Sequence, residues 1–375
     1  MGGNGSRGVK GPASPPGYPL PDVNIDLREH WFLGDVEIPG RLVLAPMAGV
    51  SVQAFRRQGR RYGAGLVCSE MVSVAGIQHR NERTLGYLRV GADEHPLAIQ
   101  IFGSDPEAMA EAARMVEAAG ADIVDMNFGC PVKKVTKTGA GASLLDDPEH
   151  ACRLVEAVAT ATALPVSVKM RRGVANGSRT CREVGPRLVE AGASSLTLHP
   201  RSAKQMYTGT ADHSLTAELV ELVDVPVIAS GDVASRARAR SVLATTGAAA
   251  VMVGRAAQGN PGVLREIMGD EREPAREEVV AELLLFMRET VRELGEQRAF
   301  GFLKKFYGWY LGRGRFPRPF KQELVLLPSL DEVEEWLLAA APGARFVLER
   351  LLSDRPDPAD EVLLDSLPIS IDGGG

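Results

Sequence analysis

The sequence predicts an α/β chain: a (β/α)8 barrel, the TIM-barrel architecture, followed by a small all-helical C-terminal domain. Two observations point to the barrel and a third to the helices. Eight short apolar runs of strand length lie between Arg41 and Met268, most of them followed by a helix-like segment. Each run ends in small, polar or reactive residues, as expected where the C-terminal ends of barrel strands converge on one axis. Beyond residue 274 the apolar spacing becomes helical.

The runs are Leu42–Ala45, Leu66–Ser69, Leu97–Ile101, Ile123–Asn127, Val166–Met170, Ser195–His199, Pro226–Ser230 and Ala249–Val253. They are apolar throughout rather than alternating, which suits parallel strands covered on both faces. Two intervening helices are sharply punctuated. Glu107–Ala119 is opened by Ser104-Asp105-Pro106 and closed by Gly120, and Asp147–Ala161 follows. A doubly wound open sheet is the competing arrangement, and the reactive groups at all eight run ends favour the barrel. The barrel is assigned to residues 26–270. The stripes Val280, Leu284, Met287, Val291, Leu294 and Val333, Trp336, Leu337, Ala340 assign helices to 274–352. Residues 1–25 read as a disordered leader, rich in Gly and Pro and without a signal-peptide core, and 353–375 as a flexible acidic tail.

Composition narrows the function. The 375 residues are 45% hydrophobic and 24% charged, with a net charge of −5, which disfavours non-specific coating of nucleic acid but permits a local basic patch. No apolar run approaches a membrane span. Cys68, Cys130, Cys152 and Cys181 lie far apart without a CxxC pair, so neither a disulfide framework nor a metal site is expected and a cytoplasmic setting fits. No obligate protein partner is evident.

The run ends read as one site. Ser230-Gly231-Asp232 and Gly254-Arg255 close the seventh and eighth runs, where barrels commonly hold a phosphate on glycine-exposed N–H groups. Lys169 would project into the mouth toward an anionic ligand edge, or pair with Glu70 or Asp125. Gln100 offers donors and an acceptor to a heterocycle, and Pro46-Met47-Ala48 a flat apolar seat. Cys130, in Asn127-Phe128-Gly129-Cys130-Pro131, sits on a loop rather than in a packing position; its thiol, mostly protonated near neutral pH, would serve as a proton donor. A nucleophilic role with His199 as base is the alternative. Cys68, Cys152 and Cys181 read as packing groups.

These motifs together resemble the tRNA-dihydrouridine synthase family, most strongly its bacterial B-type branch. The resemblance rests on Leu44-Ala45-Pro46-Met47-Ala48-Gly49, Ser69-Glu70-Met71, Gln100-Ile101-Phe102-Gly103, and Asn127-Phe128-Gly129-Cys130-Pro131 with Lys133-Lys134-Val135. It extends through Lys169-Met170-Arg171, His199-Pro200-Arg201, Ser230-Gly231-Asp232 and Gly254-Arg255-Ala256. It implies an FMN-dependent barrel that reduces the C5=C6 bond of chosen tRNA uridines, with NADPH or NADH as reductant. By the same resemblance, Pro46, Met47, Ala48, Gln100, Lys169, His199, Ser230, Gly231, Asp232, Gly254 and Arg255 would hold FMN. Cys130 would protonate C5, and Asn127 and Arg171 would grip the uracil. Ser230, Pro200 and Phe306 depart from the family's usual Asn, Gly and His.

For tRNA, residues 304–321 carry six cations and six aromatics with no acid. Lys304, Lys305, Arg313 and Arg315, extended by Lys133 at the rim, are the expected phosphate contacts, with exposed rings for unpaired bases and Trp309 expected in the core. A barrel reducing a free pyrimidine and a non-redox RNA-binding barrel are the rivals.

Overall fold

The computed structural model describes residues 25–270 and 272–353. Of the leader and tail read from the sequence at 1–25 and 353–375, residues 1–24 and 354–375 lie outside the described residues.

The chain enters through a hairpin, β1 (Trp31–Leu33) and β2 (Val36–Ile38), turning at Gly34 with φ +59°. Nine strands follow: β3 (Leu42–Leu44), β4 (Leu66–Cys68), β5 (Val72–Ser73), β6 (Leu97–Phe102), β7 (Ile123–Phe128), β8 (Val166–Arg171), β9 (Ser195–His199), β10 (Val227–Ser230) and β11 (Ala250–Val253). All pair in parallel. The order β4-β3-β11-β10-β9-β8-β7-β6 closes on itself through Val67 opposite Leu97, while β5 is a short addition beside β6. The eight strands expected from the sequence are the eight that close the barrel. The hairpin and β5 were not foreseen.

The helices are α1 (Gln53–Arg61), α2 (Val74–Gln78), α3 (Glu82–Leu85), α4 (Pro106–Ala118), α5 (Lys133–Thr136), α6 (Pro148–Ala161), α7 (Cys181–Glu190), α8 (Ser214–Leu222), α9 (Arg236–Thr246) and α10 (Val263–Met268). Beyond the barrel come α11 (Arg276–Leu294), α12 (Glu296–Arg313), α13 (Arg318–Leu326), α14 (Leu330–Ala340) and α15 (Ala344–Ser353). The two punctuated helices start where their caps require: Asp105 and Asp147 accept from Ala108 N and His150 N, with Pro in the first turn of each.

Strand periodicity sorts the barrel's side chains. One parity points outward into the helices and forms the main core. The other points inward, and its lower layer, Val43, Leu66, Ala98, Ile123, Ile228 and Ala250, packs on Leu33 and Ile38 of the hairpin. The hairpin therefore plugs the N-terminal end. Continuing up the same parity, the inward residues turn polar: Gln100, Asp125, Asn127, Lys169, His199 and Ser230.

The C-terminal helices share the barrel's core. Buried Gln58 on α1 donates to Glu282 Oε2 on α11 at 3.0 Å and accepts from Tyr310 on α12, and Arg61 lies 3.4 Å from Glu282. On α12 the inward face is Leu303, Phe306, Tyr307, Tyr310 and Leu311. Trp309 falls off that stripe and is 38% exposed. This corrects its expected place in the core.

Candidate active site

At the C-terminal mouth, one buried hydrogen-bonded chain organises the loop that carries Cys130. Gln100 Nε2 donates to Asp125 Oδ2 at 2.5 Å, and Asn127 Nδ2 donates to Gln100 Oε1 at 2.7 Å. Asn127 Oδ1 then accepts from Cys130 N at 2.9 Å and Gly129 N at 3.2 Å. Asn127 thus uses both ends of its amide to fix the loop, and Ala142 N holds the Cys130 carbonyl at 3.0 Å. The thiol is half-buried. Burial pushes its pKa up against the opposing pull of the Val132 N–H, Arg171 and Lys169, so it stays protonated at neutral pH.

Arg171 clamps two loops. Its Nε donates to Gly129 O at 2.9 Å, and its Nη1 donates to Ser202 O and Met206 O at 3.0 and 2.8 Å. The Cys130 loop and the loop after β9 are therefore tied by one guanidinium.

Lys169, in register with Asn127 on β7 and Thr197 on β9, stands between these groups. Its ammonium has no hydrogen-bond partner among the described residues. Burial, reinforced by Arg171, brings its pKa down to about 8, with Asp125 opposing. Asp125 itself is pushed up to about 6 by burial, against hydrogen bonds from Gln100 and Ser167 and the charge of Lys169. Glu70, the other anion expected near Lys169, instead accepts from Gly49 N.

His199 is kept neutral. Burial first, then the charges of Lys169, Arg171, Arg201 and Arg255, bring its pKa down to about 2. A base that weak cannot activate Cys130.

The clamp residues lie beside it. Gly231 has φ +119°, and a Cβ there would stand 3.0 Å from the His199 ring and from Ala211 Cβ, so glycine is required. Asp232, itself left-handed at φ +56°, accepts from Arg201 Nη2 and Ala211 N, each at 2.7 Å, and lies 3.8 Å from Arg255. Burial raises its pKa, but those two hydrogen bonds prevail and hold it below the usual range. Ser230 lies on β10 and Gly254 just past β11, flanking the same side. Across the mouth, Met47 N donates to Ser51 Oγ at 3.0 Å, and Met47 O accepts from Val50 N and Ser51 N at 2.9 Å. This self-closed turn presents Pro46, Met47 and exposed Ala48 to the opening.

Some placements differ from a simple basic track. Lys133 is exposed on α5, directly after the Cys130 loop. Lys304 lies 4.3 Å over the Phe300 ring, and Lys305 Nζ donates to Gly49 O. Arg313 pairs with Glu266 at 2.7 Å and Arg315 with Glu273 at 2.5 Å; these acids come from outside the acid-free segment. Asp125 and Arg201, read from the sequence only as a partner for Lys169 and as part of a motif, are both built into the mouth, and Tyr207 went unread. Tyr207 is 51% exposed, with Arg255 at 4.5 Å and Arg171 at 5.5 Å from its ring. The unusually long connection between β9 and α8 was the available signal, since such loops are usually two to six residues.

The fold and its mouth define a (β/α)8-barrel enzyme, with the Cys130 loop close to the charges of Arg171 and Lys169. The family model described as Dihydrouridine synthase (Dus) matches residues 43–342. The chain is 38% identical to tRNA-dihydrouridine synthase B of Pseudomonas aeruginosa, over 80% of this chain and 92% of that one. It is 37% identical to the protein of the same name from Shewanella oneidensis, over 80% and 95%. It belongs to the dihydrouridine synthase family. Among solved structures, histamine dehydrogenase from Rhizobium sp. 4-9 shares the fold, with a TM-score of 0.53 at 12% identity over 70% of this chain and 51% of that chain.

Proposed function

We propose that this chain reduces the C5=C6 bond of specific uridines in tRNA to 5,6-dihydrouridine in the cytoplasm, using FMN and NADPH or NADH. The observation that carries the reading is the Cys130 loop, pinned by Asn127 and Arg171 at the strand ends beside the unpartnered Lys169. The residues present fit FMN: the unpartnered Lys169 ammonium suits the electron-rich edge of the ring, Met47 and Ala48 its face, and Gln100 and His199 its polar rim. Ser230, Gly231, Asp232, Gly254 and Arg255 form the phosphate end. Bound FMN supplies the hydride that goes to C6, and the nicotinamide supplies its replacement.

The protein's own groups do the rest. Cys130 delivers its proton to C5, and burial of the thiol keeps that proton available. Asn127 sets where the thiol stands. Arg171 holds the Cys130 loop against the loop carrying Tyr207, beside where the uracil would lie. A target base must leave its stack to enter, which is easiest in a tRNA loop. Lys133 and Lys304 would meet phosphates; Lys305, bonded to Gly49 O, and Arg313 and Arg315, paired with Glu266 and Glu273, would first have to exchange those partners.

The test is direct. The purified chain should be yellow with an FMN spectrum and, given NADPH, should form dihydrouridine in unmodified tRNA while leaving free uracil untouched. A colourless chain that cannot be reconstituted with FMN, or one that reduces free pyrimidines and ignores tRNA, refutes the reading.

A further inference from the structure

The turn after β3 is gripped from outside the barrel. Gly49, at φ +71°, donates its N–H to Glu70 Oε2 at 2.5 Å and accepts at its carbonyl from Lys305 Nζ, also at 2.5 Å. Lys305 lies on α12, whereas the turn carries Pro46, Met47 and Ala48 at the mouth. The ammonium is well placed, with its Nζ 4.0 Å from the Phe302 ring centre and 5.2 Å from that of Phe306. Burial lowers its pKa, and Glu70 opposes that shift.

Glu70 is 5% exposed, and its Oε1 has no hydrogen-bond partner among the described residues. A buried carboxylate so sparsely satisfied is costly, and its one side-chain hydrogen bond goes to this turn. The contact also continues inward. Ser69 Oγ donates to Glu70 O at 2.8 Å and accepts from Gln100 N at 2.9 Å, joining the Gln100–Asn127–Cys130 chain described above. The helical region thus reaches, through one lysine, the two walls between which the ligand would lie.

We propose that Lys305 is a positioning residue for the FMN seat: acting through the Gly49 carbonyl, it fixes the Pro46–Gly49 turn against Glu70 in the absence of RNA. The inference rests on the reading of the mouth as an FMN site. It gives α12 a task distinct from phosphate capture, and it predicts an effect on FMN when no RNA is present.

The full chain and its Lys305→Met and Lys305→Arg variants are titrated with FMN without RNA, following flavin fluorescence and the shape of the visible absorption bands. Affinity for tRNA is measured separately. Lys305→Met is expected to weaken FMN about three- to tenfold, the worth of one hydrogen bond, and to change the band shape. Lys305→Arg, which retains a donor, should restore both. Glu70→Gln should reproduce the band change from the other side of the turn. Wild-type FMN binding that Lys305→Met matches in affinity and spectrum, with only tRNA affinity reduced, overturns this inference and leaves the flavin reading standing. Equal losses in Lys305→Met and Lys305→Arg also overturn it. A wild-type chain that binds no FMN overturns both readings.

Discussion

Lys169 provides a quantitative test of the FMN site through pH. Burial and Arg171 bring its ammonium from an ordinary 10.5 to about 8. An electron-rich ring edge settling beside it favours the charged form and raises that value again. Below about pH 8 the ammonium is charged before and after binding, so FMN affinity is independent of pH. Above it the free chain has lost the proton and must regain one on binding, so affinity falls tenfold per pH unit until the bound-state pKa is reached. From pH 7 to 9.5 the expected loss is about thirtyfold for a bound-state pKa about a unit or more above 9.5, and about half that for one near 9.5. Fluorescence titrations across this range would measure it. Lys169→Met, with a similar stem and no charge, should bind more weakly throughout and lose the extra slope, while also reporting any titration of FMN itself. Equal slopes in the wild type and the variant would refute the placement of this ammonium against the ring.

Three further outcomes follow from the geometry. Cys130→Ala should slow dihydrouridine formation by about 10²- to 10⁴-fold, the usual weight of a general acid, while NADPH still reduces the flavin at the parental rate; stopped-flow kinetics separates the two steps, and brisk turnover by the variant removes the proton-donor role. Gly231→Ala forces a Cβ into 3.0 Å contact with the His199 ring at φ +119° and should cost about 1–3 kcal/mol, read as a lower thermal midpoint; an unchanged midpoint contradicts the tight approach. Affinity for tRNA should fall steeply with salt, with a log–log slope of about −2 to −4 if three to five phosphates meet cations, and a flat profile rules out the electrostatic track.

The barrel was legible because its strands are short, apolar and buried on both faces, a pattern the eight runs display without ambiguity. The N-terminal hairpin was missed, although Gly34-Asp35 between Trp31–Leu33 and Val36–Ile38 is a recognisable turn signal; three-residue strands are too short to stand out. Site residues were legible where they end a strand, as Lys169, His199 and Asn127 do. Tyr207 was harder to see because a long loop brings it back over the mouth, and loop paths are set by tertiary contacts such as the hold of Arg201 on Asp232. The pairing of Arg313 and Arg315 was invisible for a similar reason. Local composition showed six cations without an acid, but Glu266 and Glu273 arrive from outside that segment.

The hairpin seated under Val43, Leu66 and Ile123 has a kinetic corollary. A barrel stoppered below has one doorway, so on the proposed function the nicotinamide and the flipped base would take turns in it. Turnover should then show ping-pong behaviour, with parallel double-reciprocal lines, and excess RNA should slow reoxidation of the nicotinamide pool by standing in its way.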